Sequence, residues 1–545
     1  MREGSFDIAV IGGGVTGCGV ALDAASRGLS VALVEQRDYA SGTSSRSSKL
    51  FHGGLRYLEQ RNFSLVREAL SERNLMLNRL CPHLTAPVSF LYPIKHRVWE
   101  RAYVGAGVLL YDMLASLADS PLPRHSHLSK GSALELAPAL APNGLVGAIQ
   151  YWDAVVDDAR HTLAVARTAA TFGASLASST RAIGLPMDCG RVSGIEVRDL
   201  ENGDEFRIHA RRVISAAGVW SDDIQRLAGD TGLDVRASKG IHMVVPHDRI
   251  RSGTGLILRT EKSVLFVIPW GRYWIVGTTD TPWDLRRAHP AASRSDIDYL
   301  LRWLNTVLAD PLTHDDVVGV YAGLRPLLVG ESAESSELSR EHAVIESASG
   351  LISIAGGKYT TYRLMARDAV DAAMSDLGPS GPGSRTDEIP LVGAEGFDLL
   401  WKARASLGIP DAERLLRRYG SEVGEIETMI DADPALAEPL VDDAAYLRAE
   451  IAYAATHEGA LHLDDVLTRR TRISIEARDR GLSAATEAAG VVGPILGWGE
   501  AASTREIEHY QARVSAELDS QRQPDDHTAD AARMGALDVR TGRSE

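Results

Sequence analysis

The segment DIAVIGGGVTG (residues 7–17) decides how the rest of the chain is read. Asp7 to Ile11 is an apolar, partly β-branched run of the kind that forms a strand buried on both faces. It leads into Gly12, Gly14 and Gly17, spaced G-x-G-x-x-G, and the alanine-rich stretch to Arg27 predicts a helix. After Gly28, SVALV (residues 30–34) predicts a second strand ending at Glu35. Each glycine has a physical task in such a unit. Gly12 permits the tight turn, Gly14 lets the backbone approach a pyrophosphate, and Gly17 lets helix and strand pack closely. The pyrophosphate then sits on the helix N-terminus, where N–H groups and the dipole favour negative charge. Glu35, 18 residues after Gly17, is placed to accept hydrogen bonds from a ribose 2′-hydroxyl, which disfavours NADP. A glycine turn alone would carry little; all five features in order predict a dinucleotide site. The motif does not separate NAD from FAD.

Working outward, that choice is made by SSKLFHGGLRYLE (residues 47–59), one residue after TSS (residues 43–45). Further segments are DDARHTLA (157–164), VISAAGVWSDDI (213–224, with Ala217 and Gly218), KGIHMVVP (239–246), FVIPWGRYWIVGTTD (266–280), GLRPLL (323–328) and IAGGKYTTYRLMA (354–366). On these motifs, and on EIAYAATHEGALHLDDVLTRRTR (450–472), the chain resembles the FAD-dependent glycerol-3-phosphate dehydrogenases. That family lies within the wider D-amino-acid-oxidase-like flavoproteins. HGGLRYLE and GGKYTTYR together make the likeness specific, and it covers nearly everything but linker and tail.

The chain itself shows an α/β region followed by a helical one. The resemblance implies a discontinuous Rossmann-like FAD-binding domain over 5–80, 150–238 and 340–377. A mixed-sheet substrate domain is expected over 81–149 and 239–339, and a C-terminal all-helical domain over 397–518. GPSGPGS (378–384) opens a linker expected over 378–396, and the polar, aperiodic stretch 520–545 is expected to be a disordered tail.

The implied reaction moves a hydride from C2 of sn-glycerol 3-phosphate to FAD N5 and leaves dihydroxyacetone phosphate. A phosphate dianion needs guanidinium or ammonium donors, and Arg56 and Arg325 sit in glycine-flanked loops suited to that task. Tyr57 is a candidate to add a hydroxyl. The C2 hydroxyl needs a base, for which His242 and His52 both stand open. Lys358, after Gly356 and Gly357 at a predicted helix start, is expected to contact substrate or to stabilise reduced flavin, with Thr360 beside it. Ser44, Ser45, Ser47, Ser48 and Lys49 are candidate FAD contacts; Asp280 reads equally as a turn residue. No metal cluster stands out.

The electron acceptor is open between a membrane quinone and oxygen, the latter making the chain an H2O2-forming glycerol-3-phosphate oxidase. RVWERAYVGAGVLLYDMLASLAD (97–119) reads either as a core helix or as an interfacial helix anchored by basic and aromatic residues. Quinone-linked family members tip the expectation to peripheral attachment at the inner face of the cytoplasmic membrane. LDDVLTRRTR reads as a homodimer contact or as a brace for the flavin domain. An amino-acid or amine oxidase and a non-catalytic flavoprotein scaffold are the remaining alternatives.

Composition agrees with an intracellular globular enzyme. The 545 residues carry 73 acidic against 58 basic side chains, a net charge of −15, which lacks the footprint of a nucleic-acid binder. Three widely spaced cysteines suit a reducing cytosol.

Overall fold

The first strand, β1 (Ser5–Ile11), is parallel to Val31–Val34 (β2) on one side and to Glu205–Ser215 on the other. The helix α1 (Val15–Ser26) joins β1 to β2 and is almost wholly buried, because its alanines and glycines let neighbours come close. A Cβ on Gly17 would stand 1.9 Å from the carbonyl oxygen of Gly12, so only glycine allows this helix to lie on this strand. α1 packs between the helices Asp158–Thr171 and Tyr362–Met374. The computed structural model describes the chain except residues 3, 97, 231, 262–263, 329–341, 376–381, 443–444, 537 and 541–545 and the side chain of Arg56.

Two sheets organise the described residues. The eight-stranded sheet runs His342–Glu346, Ile352–Gly356, Glu205–Ser215, β1, β2, Ser175–Ala177, with Gly194–Asp199 attached to Glu205–Ser215 and Thr180–Gly184 attached in turn to Gly194–Asp199. Its central strands are parallel, so their apolar runs are buried on both faces. The chain order reverses between β1 and Glu205–Ser215, and ligands of open α/β sheets bind beyond the carboxyl ends of strands at such a reversal.

The ten-stranded sheet is built mainly of antiparallel pairs, with Val235–Pro246 between Tyr273–Gly277 and Gly319–Leu328. Ile241, Met243 and Val245 point into one apolar core, and the alternate residues Gly240 and His242 face the other way. Leu50–Phe51 and residues 150–156 pair into this sheet, although both stretches were expected in the FAD-binding domain. Hydrogen-bond pairing, which no local pattern reveals, decides that.

Two further expectations are corrected. Residues 378–381 lie outside the described part, but 382–396 are no loose linker. Leu391 N donates to the Leu80 carbonyl (2.8 Å), Val392 N donates to Thr168 Oγ1 (2.9 Å), and Ile389, Leu391 and Ala394 are buried. The described part of 520–545 is ordered. Asp526–Arg533 is a helix, Asp526 pairs with the buried Lys239, and Arg540 forms two bonds to Asp465 (2.8 and 2.9 Å). These polar residues find partners at great sequence distance, so their polarity reads as solvation when taken alone.

The helical region docks on the first sheet's half through buried charge. Asp38 accepts Arg469 Nε at 2.5 Å and Arg470 Nη1 and Nη2 at 2.6 and 2.7 Å. Arg472 reaches Asp157 and Asp158 at the N-terminus of Asp158–Thr171, and Arg160 reaches Glu458 at 2.6 Å. The arginines of LDDVLTRRTR thus brace the flavin half from within. Asp38→Ala would leave two buried guanidinium groups without their shared carboxylate. Denaturant unfolding is expected to lose about 3–5 kcal/mol, against less than about 1 kcal/mol for the exposed pair partner Glu205→Ala.

Candidate functional site

A cavity of about 1540 Å³ starts at the carboxyl ends of β1 and Glu205–Ser215 and continues to the inner face of the ten-stranded sheet. At one end Gly12 turns with φ 112°, and a Cβ there would meet the Ala216 carbonyl oxygen at 2.6 Å. Gly14 is the N-cap residue of α1, and Ser44 Oγ accepts from Val15 N at 2.9 Å, tying the serine loop to the helix start. Glu35 accepts from Gly13 N (2.7 Å) and Arg37 N (2.9 Å); burial pushes its carboxyl up while both backbone donors pull it down. Thr180 and Arg181 line the cavity beside it, and Ala217 and Gly218 line its wall beyond Ala216. This is the cradle that a dinucleotide requires: a helix N-terminus, a backbone that only glycine can follow, and an acid at the next strand end. FAD fits it.

At the other end two adjacent strands supply the polar groups. Ser238, Gly240 and His242 on Val235–Pro246 stand opposite Arg325, Gly323 and Tyr321 on Gly319–Leu328. Arg325 donates to Thr278 Oγ1 (2.9 Å) and the Thr279 carbonyl (3.1 Å) and lies 3.4 Å from Asp280, which also accepts from Ser238. A Cβ on Gly240 would stand 2.4 Å from both Arg325 Nη2 and Thr278 Oγ1, so the missing side chain is what admits the guanidinium. His242 is 2% exposed and stacks on Tyr321 with centroids 4.9 Å apart. Burial, then the charges of Arg325 and Lys49, hold its pKa well below the usual 6.5, so the imidazole is neutral and able to accept a proton.

Between the two ends, Gly356 and Gly357 both have φ 76° and turn the strand Ile352–Gly356 so that Lys358 borders the cavity. Its ammonium lies 3.7 Å from the centroid of the Tyr57 ring. Thr360 Oγ1 accepts from His52 N at 3.3 Å, and both residues line the cavity.

The structure therefore brings Gly12, Gly14, Glu35, Ser44, Ser47, Ser48, His52, Tyr57, Ala217, Gly218, His242, Arg325, Gly356, Gly357, Lys358 and Thr360 to one cavity. Gly17 stays behind it as a packing contact. Ser45 and Lys49, expected as FAD contacts, do not line it. Lys49 is fully buried, its Nζ donating to Asp158 (2.6 Å) and to the Ser45 carbonyl (3.1 Å). A lysine in a serine-rich loop looks solvated until its carboxylate partner, 109 residues away, is known. Arg56 begins the short helix Arg56–Glu59 beside Tyr57, and its side chain lies outside the described residues. Residues missed in the sequence are Arg46 and Thr278 on the cavity wall and Tyr321 behind His242. Thr278 lies inside the quoted GTTD, whereas Arg46 falls in the one-residue gap between the quoted TSS and SSKLF; Tyr321 carries no local signal.

The FAD dependent oxidoreductase family matches residues 7–363, and the C-terminal domain of alpha-glycerophosphate oxidase matches residues 384–503. Glycerol-3-phosphate dehydrogenase 2 of Mycobacterium tuberculosis is 54% identical over 542 residues, covering 98% of this chain and 92% of its own. The mitochondrial glycerol-3-phosphate dehydrogenase of Mus musculus is 37% identical, covering 92% of this chain and 72% of its own. Among solved structures, the glycerol-3-phosphate dehydrogenase of Bacillus halodurans complexed with FAD has 30% identity and a TM-score of 0.76, covering 94% of this chain and 95% of that one.

Gly240→Ala is expected to push the Arg325 guanidinium off its place while leaving the glycine turn at Gly12 intact. Calorimetric titration with a phosphate-bearing ligand should show binding weakened about tenfold, ~1.4 kcal/mol. The flavin absorbance per protein should be unchanged.

Proposed function

The chain belongs to the FAD-dependent oxidoreductases and, through its full-length relatives, to the glycerol-3-phosphate dehydrogenases, and on that premise we propose how its site works and where its electrons go. The protein oxidises sn-glycerol 3-phosphate to dihydroxyacetone phosphate with FAD as cofactor. The observation that carries the site reading is the neutral, buried His242 and, on the adjacent strand, Arg325, both at the far end of a cavity that begins with the dinucleotide cradle. Gly12, Gly14, Glu35 and Ser44 would hold the cofactor, with Ala217, Gly218, Gly356 and Gly357 lining the same cavity. Bound FAD supplies the acceptor for the hydride that leaves C2.

The chain's own residues do the rest. Arg325 and Lys358, together with Arg56, bind the substrate phosphate and orient the substrate. His242 takes the proton of the C2 hydroxyl as C2 is oxidised. His52 shapes the wall beside Thr360. The low pKa of His242 keeps the base in its working form across neutral pH, so kcat should stay level from pH 8 down to the ordinary histidine value of 6.5 and fall only below it. His242→Gln should cost ~10²- to 10⁴-fold in kcat and remove that acid limb.

The electrons pass to a membrane quinone. No described helix is long and apolar enough to cross a membrane. The helix Trp99–Ser116 instead buries Gly105, Val108, Tyr111 and Ala115 against the core and leaves the other face apolar. Trp99, Tyr103, Leu109 and Met113 are 63, 54, 52 and 59% exposed, and no fully exposed position of the helix is charged. Such a face costs free energy in water and gains it at a bilayer surface. Trp99, Tyr103 and Leu110 also line the cavity, so the face that would lie on lipid borders the way in. We place the protein peripherally on the inner face of the cytoplasmic membrane.

Anaerobic sn-glycerol 3-phosphate should bleach the flavin band, and a soluble quinone should restore it faster than air does. Peroxide formed at the full rate under air would instead make the chain an oxidase. Leu109→Glu with Met113→Glu should lower co-sedimentation with lipid vesicles and the vesicle-quinone rate at least fivefold, while anaerobic bleaching keeps its rate.

A further inference from the structure

His242 Nε2 lies 2.9 Å from Ser48 Oγ, and its Nδ1 has no hydrogen-bond partner among the described residues. The other face of the imidazole is covered by Tyr321, whose rings are 12° from parallel and whose hydroxyl donates to the Ser47 carbonyl at 3.0 Å. Both contacts lead to one tripeptide, Ser47-Ser48-Lys49. That tripeptide turns through left-handed backbone at Lys49, φ 56°, a conformation that surrounding bonds must hold.

The holding group is Asp158. Its Oδ2 accepts from Ser47 N (3.0 Å) and Ser47 Oγ (2.8 Å), and its Oδ1 accepts from Lys49 Nζ at 2.6 Å. The same Oδ1 accepts Arg472 Nη2 at 2.6 Å, from the segment that docks the helical domain. Lys49 and Asp158 are fully buried and Arg472 is 2% exposed, so water cannot replace a lost partner. The line of contact runs from the helical domain to the base without a gap: Arg472, Asp158, the Ser47–Lys49 turn, Ser48, His242.

We propose that Ser48 is the positioning residue of His242, and that Arg472, acting through Asp158, sets where Ser48 stands. The helical domain then takes part in the reaction without touching the substrate. A base displaced by even one ångström loses rate steeply, because proton transfer needs hydrogen-bond reach to the C2 hydroxyl. This inference rests on the reading of His242 as the base. The charged and titratable groups around the imidazole are Arg325, Lys49 and Tyr321, and none is changed by the variants below.

The test uses the FAD-loaded full-length protein and anaerobic flavin reduction by sn-glycerol 3-phosphate across pH. Ser48→Ala should slow reduction roughly 30-fold, with substrate affinity within about threefold and full flavin content, and should move the acid limb by about half a pH unit or more. An upward move means that Ser48 donates to Nε2, a downward move that it accepts; either supports the role. Ser48→Thr, which keeps the hydroxyl, should recover most of the rate. Arg472→Lys should slow reduction roughly fivefold and move the same limb, and in the double variant the two losses should not multiply. If the arginine variant does not accumulate, Ser47→Ala takes its place, since it removes one bond to Asp158 and no charge. Losses that multiply, or a Ser48→Ala protein with unchanged rate and limb, overturn the proposal. His242→Gln separates the two readings. If it keeps the acid limb, the base assignment fails; if it abolishes the limb while Ser48→Ala leaves it untouched, only the positioning role falls.

Discussion

Three carboxylates of the cofactor half, Asp38, Asp157 and Asp158, meet three arginines of one short segment, Arg469, Arg470 and Arg472, and the arrangement of both halves depends on that buried exchange of charge. Taking six charges out of water costs several kcal/mol per ion unless geometry is close and the remaining donors are satisfied. Here the cost is offset by multiple charge-assisted bonds: Arg470 spends both terminal nitrogens on Asp38 and also donates to the Glu458 carbonyl. Opposed charges also forbid other dockings, since a shifted helical domain would bury several unpaired ions at once. The interface is thus specified more sharply than an apolar surface of equal area would specify it.

The site inherits this constraint. It lies where the parallel sheet ends and the second sheet passes over it, so its two ends are held by different frameworks. The cradle end is fixed by backbone, through turns at Gly12 and Gly356-Gly357 that side chains would block. The substrate end is fixed by strand register, which sets Arg325 opposite Ser238 and Tyr321 opposite His242. A slip of one residue would turn His242 into the core with Ile241 and Met243. Burial beside two cations keeps that histidine neutral, so the same packing that positions the imidazole also sets its protonation state.

Much of this was legible in the sequence because it is local. The order strand, glycines, helix, strand and acid needs only neighbouring residues, and GGLRY, KGIHM, GLRP and GGKYT carry their chemistry on turns or single strands. What misled were residues whose partners are distant. Lys49 looked like a cofactor contact and is a structural ion; the stretches 382–396 and 526–533 looked loose and are packed. The helix Trp99–Ser116 read equally as core or surface, and it is both, one face buried and the other exposed.

By itself the sequence determined the dinucleotide cradle, the α/β-then-helix order and the residue types that meet at the far end of the cavity, since each follows from spacing within about 30 residues. The tertiary structure alone decided which strands share a sheet and that the RRTR arginines face inward. It also decided that Ser48 and Tyr321 flank His242, and that the docking helical domain reaches, through Arg472 and Asp158, the loop beside that histidine. The physical reason is that hydrogen-bond pairing across sheets and the burial of charge are bargains between groups far apart in the chain. Their free energy depends on a partner that the local pattern does not contain.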